Sequence, residues 1–296
     1  MLGEGLPQGV GQLFGDGGAG RVLDVDLPPG GLVVPQDSAA GTGPAYWLSD
    51  EPAGPDLWAR LHRAHARSGL WPVFASASSF DEEQPWVAGE VDPQPVAGID
   101  RLNPAEVMEG LWTAWINGEH HLLPAEDDPR EMAGAFRVAR EDDDGFAELQ
   151  PFGRRWPGLA PAAESGQEPD EAAGQYVRGT DDGTSRIMLV AAARSADVLT
   201  AVGWGGAVNY TMDMFLLSSV LRSWEDRFGA RLIEVGSDTL HLAVAAPPVT
   251  TGHSEHVAAE HFAFCPDNIV QSLAPTIRAY AAEQVQAKAG WSFWWD

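Results

Sequence analysis

The sequence predicts an α+β protein: a mixed or antiparallel sheet with helices packed on it and an aromatic C-terminal strand, in two lobes joined by an acidic linker. Three observations predict this. The last third of the chain alternates strand, helix and hairpin patterns, with helices grouped between antiparallel strands. The final residues, Trp291-Ser292-Phe293-Trp294-Trp295-Asp296, carry three tryptophans where chain ends usually fray. Between about Glu141 and Thr184 the residues turn small, acidic and proline-rich, a composition that buries too little to offset ordering entropy.

Taken in order, residues 1–20 are glycine-rich and read as a flexible lead. A first lobe over 21–140 opens with the alternating run Arg21–Val25 and a Pro-Pro-Gly-Gly turn. Tyr46-Trp47-Leu48 reads as a short strand. Pro55 opens a helix with Leu57, Trp58, Leu61 and Ala64 as its apolar stripe, ending near Ser68-Gly69. Leu70–Ala75 reads as a buried strand whose Pro72 suggests an edge or a strand start. Pro104–Trp115 is a second helix. The linker spans 141–185 and contains one apolar stretch, Pro151–Leu159, suited to docking on a neighbouring surface.

The C-terminal segment, 186–296, is the most legible. Arg186–Ala191 is a strand and Ala196–Val202 a short helix. Asp213 caps a helix with apolar residues at i, i+3, i+4 and i+7, and Gly229 stops it. Arg231–Val235 and Thr239–Ala245 form a hairpin across Gly236-Ser237-Asp238. Leu240, Leu242 and Val244 point one way from its second strand, and Thr239, His241 and Ala243 the other. Helices over Ser254–Phe264 and Pro275–Ala287 follow. The closing strand places Trp291, Phe293 and Trp295 on one face and Ser292 and Trp294 on the other.

Composition narrows the functional classes. The net charge of -25 is unevenly spread: 21 acids against 8 bases over 1–140, 11 against 3 over 141–185, and 11 against 7 over 186–296. Nucleic-acid binders need a basic footprint and anionic membranes attract polybasic segments, so neither partner is expected. No apolar run approaches the roughly 20 residues needed to cross a bilayer. The N-terminus lacks the basic and apolar regions of a secretory signal. One cysteine, Cys265, leaves no internal disulfide and fits a reducing cytoplasm. A single lysine, Lys288, against 17 arginines points to a GC-rich bacterial source. Oligomeric state is not legible from any of this.

The stretches SWEDRFGARL (223–232), DTLHLAVAAPP (238–248), AAEHFAFCPDN (258–268) and WSFWWD together resemble the bacterial domain of unknown function family 4253 over about 186–296. LPPGGLVV, AYWLSDEP, LWARLHRAHARSGLWPV and PFGRRWPGLAP are similar to the leading region of its actinobacterial members. The resemblance implies no established activity.

Candidate chemistry centres on the helix 254–264. His253, His256 and Glu260 share a face at i, i+3 and i+7, but without an HExxH order a solvated polar face is the better reading, and no metal is expected. His261 falls on the buried side with Cys265 one turn on, where the thiol reads as a small core residue. His241, Glu260, His261 and Asp267 form the candidate catalytic cluster. Together with Asp296 they also suit a network that only positions the C-terminus. Trp204, Trp294 and Asp296 are the candidate binding residues. GxxxxGK, GxSxG, kinase and deaminase patterns are absent, so no cofactor is expected. The favoured reading is a non-catalytic cytoplasmic binding or accessory factor, of an immunity type, presenting acidic surface to a basic protein partner. The alternative is an enzyme of unassigned class, with hydrolysis as its leading form, built on the His/Glu/Asp cluster.

Overall fold

The computed structural model describes residues 5–36, 42–76, 85–118, 146–164, 166–180, 183–273 and 275–296. Its strands are β1 (Gly30–Val33), β2 (Tyr46–Pro52), β3 (Leu70–Ala75), β4 (Arg186–Ala191), β5 (Ala230–Val235), β6 (Thr239–Val244) and β7 (Gly290–Trp294). The principal helices are α1 (Pro55–Ser68), α2 (Pro104–Asn117), α3 (Pro169–Thr180), α4 (Met214–Phe228) and α5 (Thr251–Phe264). The strands form one open mixed sheet in the order β1-β2-β4-β3-β5-β6-β7. Its neighbours pair antiparallel except β3 and β5, which run parallel.

Local signals set the helix ends. Asn103 accepts from the Ala105 amide, Asp213 from Phe215 and Thr250 from His253, each taking up an otherwise orphaned first-turn donor. Gly69 (φ 69°) and Gly229 (φ 60°) end α1 and α4 in the left-handed conformation that costs glycine nothing. Beyond α5, the expected helix 275–287 is shorter, Ile277–Tyr280, and runs into a π-turn over Ala281–Val285.

Strands from both expected lobes lie side by side, because β4, the first strand of 186–296, sits between β2 and β3. The chain therefore buries both faces of a shared sheet. On one face Tyr46, Trp71, Met188, Leu240, Trp291 and Phe293 meet α2, α4 and α5. On the other, Trp47, Phe74, Ile187, Leu189 and Ile233 meet α1, α3 and the leading residues. Arg222 adds a polar tie, reaching Asp197 at 2.5 Å and Asp100 at 2.6 Å.

Several expectations change. In the glycine-rich lead Val10 is buried against the second core, with Leu13 and Phe14 beside it. Arg21–Val25 is not a strand; its amides bond to Arg67 and Gly5, off the sheet. Pro72 lies in a central strand rather than at an edge. Its carbonyl accepts from Trp58 Nε1 at 3.0 Å, and β3 pairs with β5 only at Phe74 and Ala75, so the missing N–H breaks no ladder there.

Where described, the 141–185 segment is folded onto the core. Ala173 and Val177 of α3 are buried, and Phe152, Trp156 and Leu159 pack against the first core. Trp112 Nε1 donates to the Arg154 carbonyl at 3.1 Å, which docks the stretch on α2. The acidic run 141–145 lies outside the described residues.

Candidate functional site

Glu260 and His261 are successive residues of α5, about 100° apart around the helix, so their side chains diverge. Glu260 is fully buried. Its Oε1 accepts from Arg227 Nη1 at 2.7 Å and the Ala160 amide at 2.6 Å. Its Oε2 accepts from Arg227 Nη2 and Trp224 Nε1, both at 2.7 Å. A carboxylate with four donors has no lone pair left for a substrate proton.

His261 points into an aromatic box, its ring 4.6 Å from Trp291, 4.8 Å from Phe293 and 5.1 Å from Trp224. Its Nδ1 lies 3.2 Å from the Tyr280 hydroxyl, and Nε2 has no polar partner among the described residues. Asn268 Nδ2 donates to that hydroxyl at 3.1 Å, so Tyr280 joins the imidazole to Asn268 in one buried polar chain. Burial pushes the His261 pKa down to about 3, keeping the ring neutral. The Cys265 thiol is pushed up by burial and donates to the Trp294 carbonyl at 2.9 Å, so it stays a thiol.

The remaining candidates separate. His241 pairs with Ser292 across β6 and β7, on the opposite face of the sheet from Trp291, Phe293 and His261. Asp267 accepts from the Asp296 amide at 3.2 Å, and Asn209 donates to the Asp296 carbonyl at 2.9 Å. That pair anchors the chain end. Trp204 is buried rather than superficial, because its Nε1 donates to Gly236 O at 2.8 Å and its ring packs 5.3 Å from Trp295. Trp294 is 38% exposed. His253 Nε2 lies 2.8 Å from the Pro161 carbonyl, His256 lies against Phe152, and Glu260 is held by Arg227, so these three do not converge.

Sequence reasoning missed Asn268 and Tyr280. Asn268 Nδ2 also donates to Ser292 O at 2.6 Å while Oδ1 accepts from the Trp294 amide at 2.9 Å, as a neighbouring strand would. Beside them lies a cavity of about 400 Å³, lined by Tyr176, Asn268, Leu273, Tyr280, Glu283 and Ser292 among others. In the sequence Asn268 shows only as a turn former, and Tyr280 only as a helical position.

This network and the terminal strand fall within one matched segment. Residues 186–296 match the family described as a domain of unknown function, DUF4253. No curated protein and no solved structure matches the chain. The DUF4253 segment supplies β4 to β7 and so most of the candidate site, whereas Ala160 and Tyr176 come from outside it. Among the described residues no helix is long and apolar enough to cross a membrane.

The buried imidazoles set an acid limit. His62 of α1, stacked on Trp58 at 4.6 Å, is lowered to about 4 by burial, partly opposed by Asp170. Both folded-state values lie below the ordinary histidine value of about 6.5, so the unfolded chain binds more protons between them. The stability these neutral rings contribute is complete above about pH 6.5 and is lost as pH falls toward 3–4. Urea midpoints from pH 7 to 4 are expected to fall more steeply for the native protein than for H62Q or H261Q. Each removed group should flatten the slope by up to about 1.4 kcal/mol per pH unit. Parallel slopes would refute the assignment.

Proposed function

We propose that the chain is a non-catalytic accessory factor that binds a basic protein partner, of the kind an immunity protein represents. The observation that carries this is the state of the groups best suited to chemistry. Glu260 has four donors, His261 is sealed and neutral, Cys265 is held as a thiol, and His241 stands on the far side of the sheet. No acid–base or nucleophile–base pair is assembled among these residues. The net charge of -25 supports a cationic partner, and the single cysteine supports a reducing cytoplasm. The arginine bias suits an actinobacterial source.

A partner captured on immobilised protein at ~50 mM salt is expected to be released at ~0.5 M, since steering between opposite charges is screened over about 10 Å or less. A panel of ester, phosphate, glycoside and amide substrates should show no turnover. Turnover abolished by H241A or H261A in a folded variant would overturn the reading.

A further inference from the structure

We propose that the open half of the β7 edge accepts an extended basic peptide segment as an added strand, with a Lys or Arg side chain meeting Glu283. This rests on the protein-binding reading above and gives it a site.

The argument starts from the ladder. Val244 N–H donates to Ala289 O and Trp295 N–H to Asp238 O, so the bonded pairs of β6 and β7 alternate inward from both ends. Gly290, Ser292 and Trp294 therefore turn their N–H and C=O groups away from β6, toward the outer edge of the sheet. Three of these groups are taken. Asn268 occupies Ser292 C=O and Trp294 N–H, and Cys265 Sγ donates to Trp294 C=O. Ser292 N–H and Gly290 C=O, which flank Trp291, are left open among the described residues, and both residues line the 400 Å³ cavity. Unpaired edges invite strand addition, and folds usually block them. Here a side chain blocks one half in the manner of a strand, and a cavity borders the other.

The cavity suits an extended chain. One residue of an added strand presents N–H and C=O to the same side, matching the open Gly290 acceptor and Ser292 donor. Tyr176 lies so close to Gly290 that a Cβ there would stand 2.2 Å from its ring, so glycine lets the tyrosine wall approach the edge. Leu273 on the rim is fully exposed and offers apolar contact to alternate side chains. Glu283 is exposed, and the described residues of the lining include no cation. A positive side chain is the complement.

The test uses the full chain. A displayed library of random nine-residue peptides is selected on it, and enriched peptides are titrated by fluorescence anisotropy. Enrichment of β-branched residues around a Lys or Arg is expected. S292P removes the outward N–H without touching the β6 ladder, and should weaken binding at least tenfold with Tm preserved. E283K should weaken basic peptides about tenfold and flatten their salt dependence. Enriched peptides that bind S292P and E283K as well as the native protein would overturn the proposal, as would no enrichment at all. A basic partner still captured by S292P at low salt would sink this site while leaving the broader protein-binding reading intact. Failure of the native protein both to capture a partner and to enrich a peptide would end both.

Discussion

Replacing Glu260 with alanine is expected to cost about 3–5 kcal/mol, because removing one partner of a buried ion pair strands the other. The carboxylate joins three parts of the chain: Ala160 from the connecting segment, Trp224 and Arg227 from α4, and its own helix α5. In E260A the Arg227 guanidinium keeps only Ala160 O at 2.8 Å and Ser223 Oγ at 3.0 Å, together with its position over the Phe228 ring. The Trp224 indole N–H and the Ala160 amide lose their acceptor, and each unsatisfied buried donor adds about 1–3 kcal/mol. A Tm drop on the order of 10 °C follows. E260Q keeps the shape but not the charge and should fall between native and E260A. In the double variant E260L/R227M both charges go, so much of the loss should be recovered, since apolar replacement of a whole buried pair is often neutral. The discriminating quantity is the coupling energy of the cycle. Additive losses, or an E260A protein with native Tm, would mean that water reaches the pair.

Glu260 also shows where the sequence stops being legible. Its helix can be read from the Thr250 cap and the apolar residues Val257, Ala258 and Phe262, all local signals. Its partners cannot: Ala160 stands 100 residues away and Arg227 33 residues away, and only the tertiary fold brings them together. The Asn268–Tyr280–His261 relay is hidden for the same reason, since it runs between helices and ends on β7. The sheet and its terminal aromatic strand are legible because β6 and β7 alternate and β3 and β4 are short unbroken apolar runs, all local signals. The insertion of β4 between β2 and β3 is not, because strand order depends on which hydrophobic faces find each other over long separations. Trp204, a candidate binding residue by sequence, is a related case. No helical or strand periodicity accounts for it, yet Trp295 and the Gly236 carbonyl enclose it.

Deleting Trp294–Asp296 should destabilise the protein by several kcal/mol, with Trp295 responsible for most of it. The Trp295 side chain is buried against Phe264 at 5.4 Å and Trp204 at 5.3 Å, and its backbone N–H donates to Asp238 O at 3.1 Å. Emptying a core site of an aromatic costs about 3–5 kcal/mol. The deletion also strips the Trp294 backbone from Asn268 and Cys265, and the Asp296 contacts with Asp267 and Asn209. Single substitutions separate these effects. W295A should reproduce most of the loss, whereas W294A should cost under about 1 kcal/mol, because that ring is 38% exposed and its useful bonds are made by the backbone. W295F is the sharper case. Trp295 Nε1 is buried without a polar partner among the described residues, so removing the N–H loses no hydrogen bond there and relieves an unpaired donor. The phenylalanine should therefore recover a large part of what alanine loses, leaving only the smaller ring's cavity. Chemical denaturation of the native protein and the four variants would rank them native, then W294A, then W295F, then W295A and the deletion together. A deletion protein with native stability would show the strand end to be free of the core, and Trp294 and Trp295 would then have to be explained by a partner rather than by the fold.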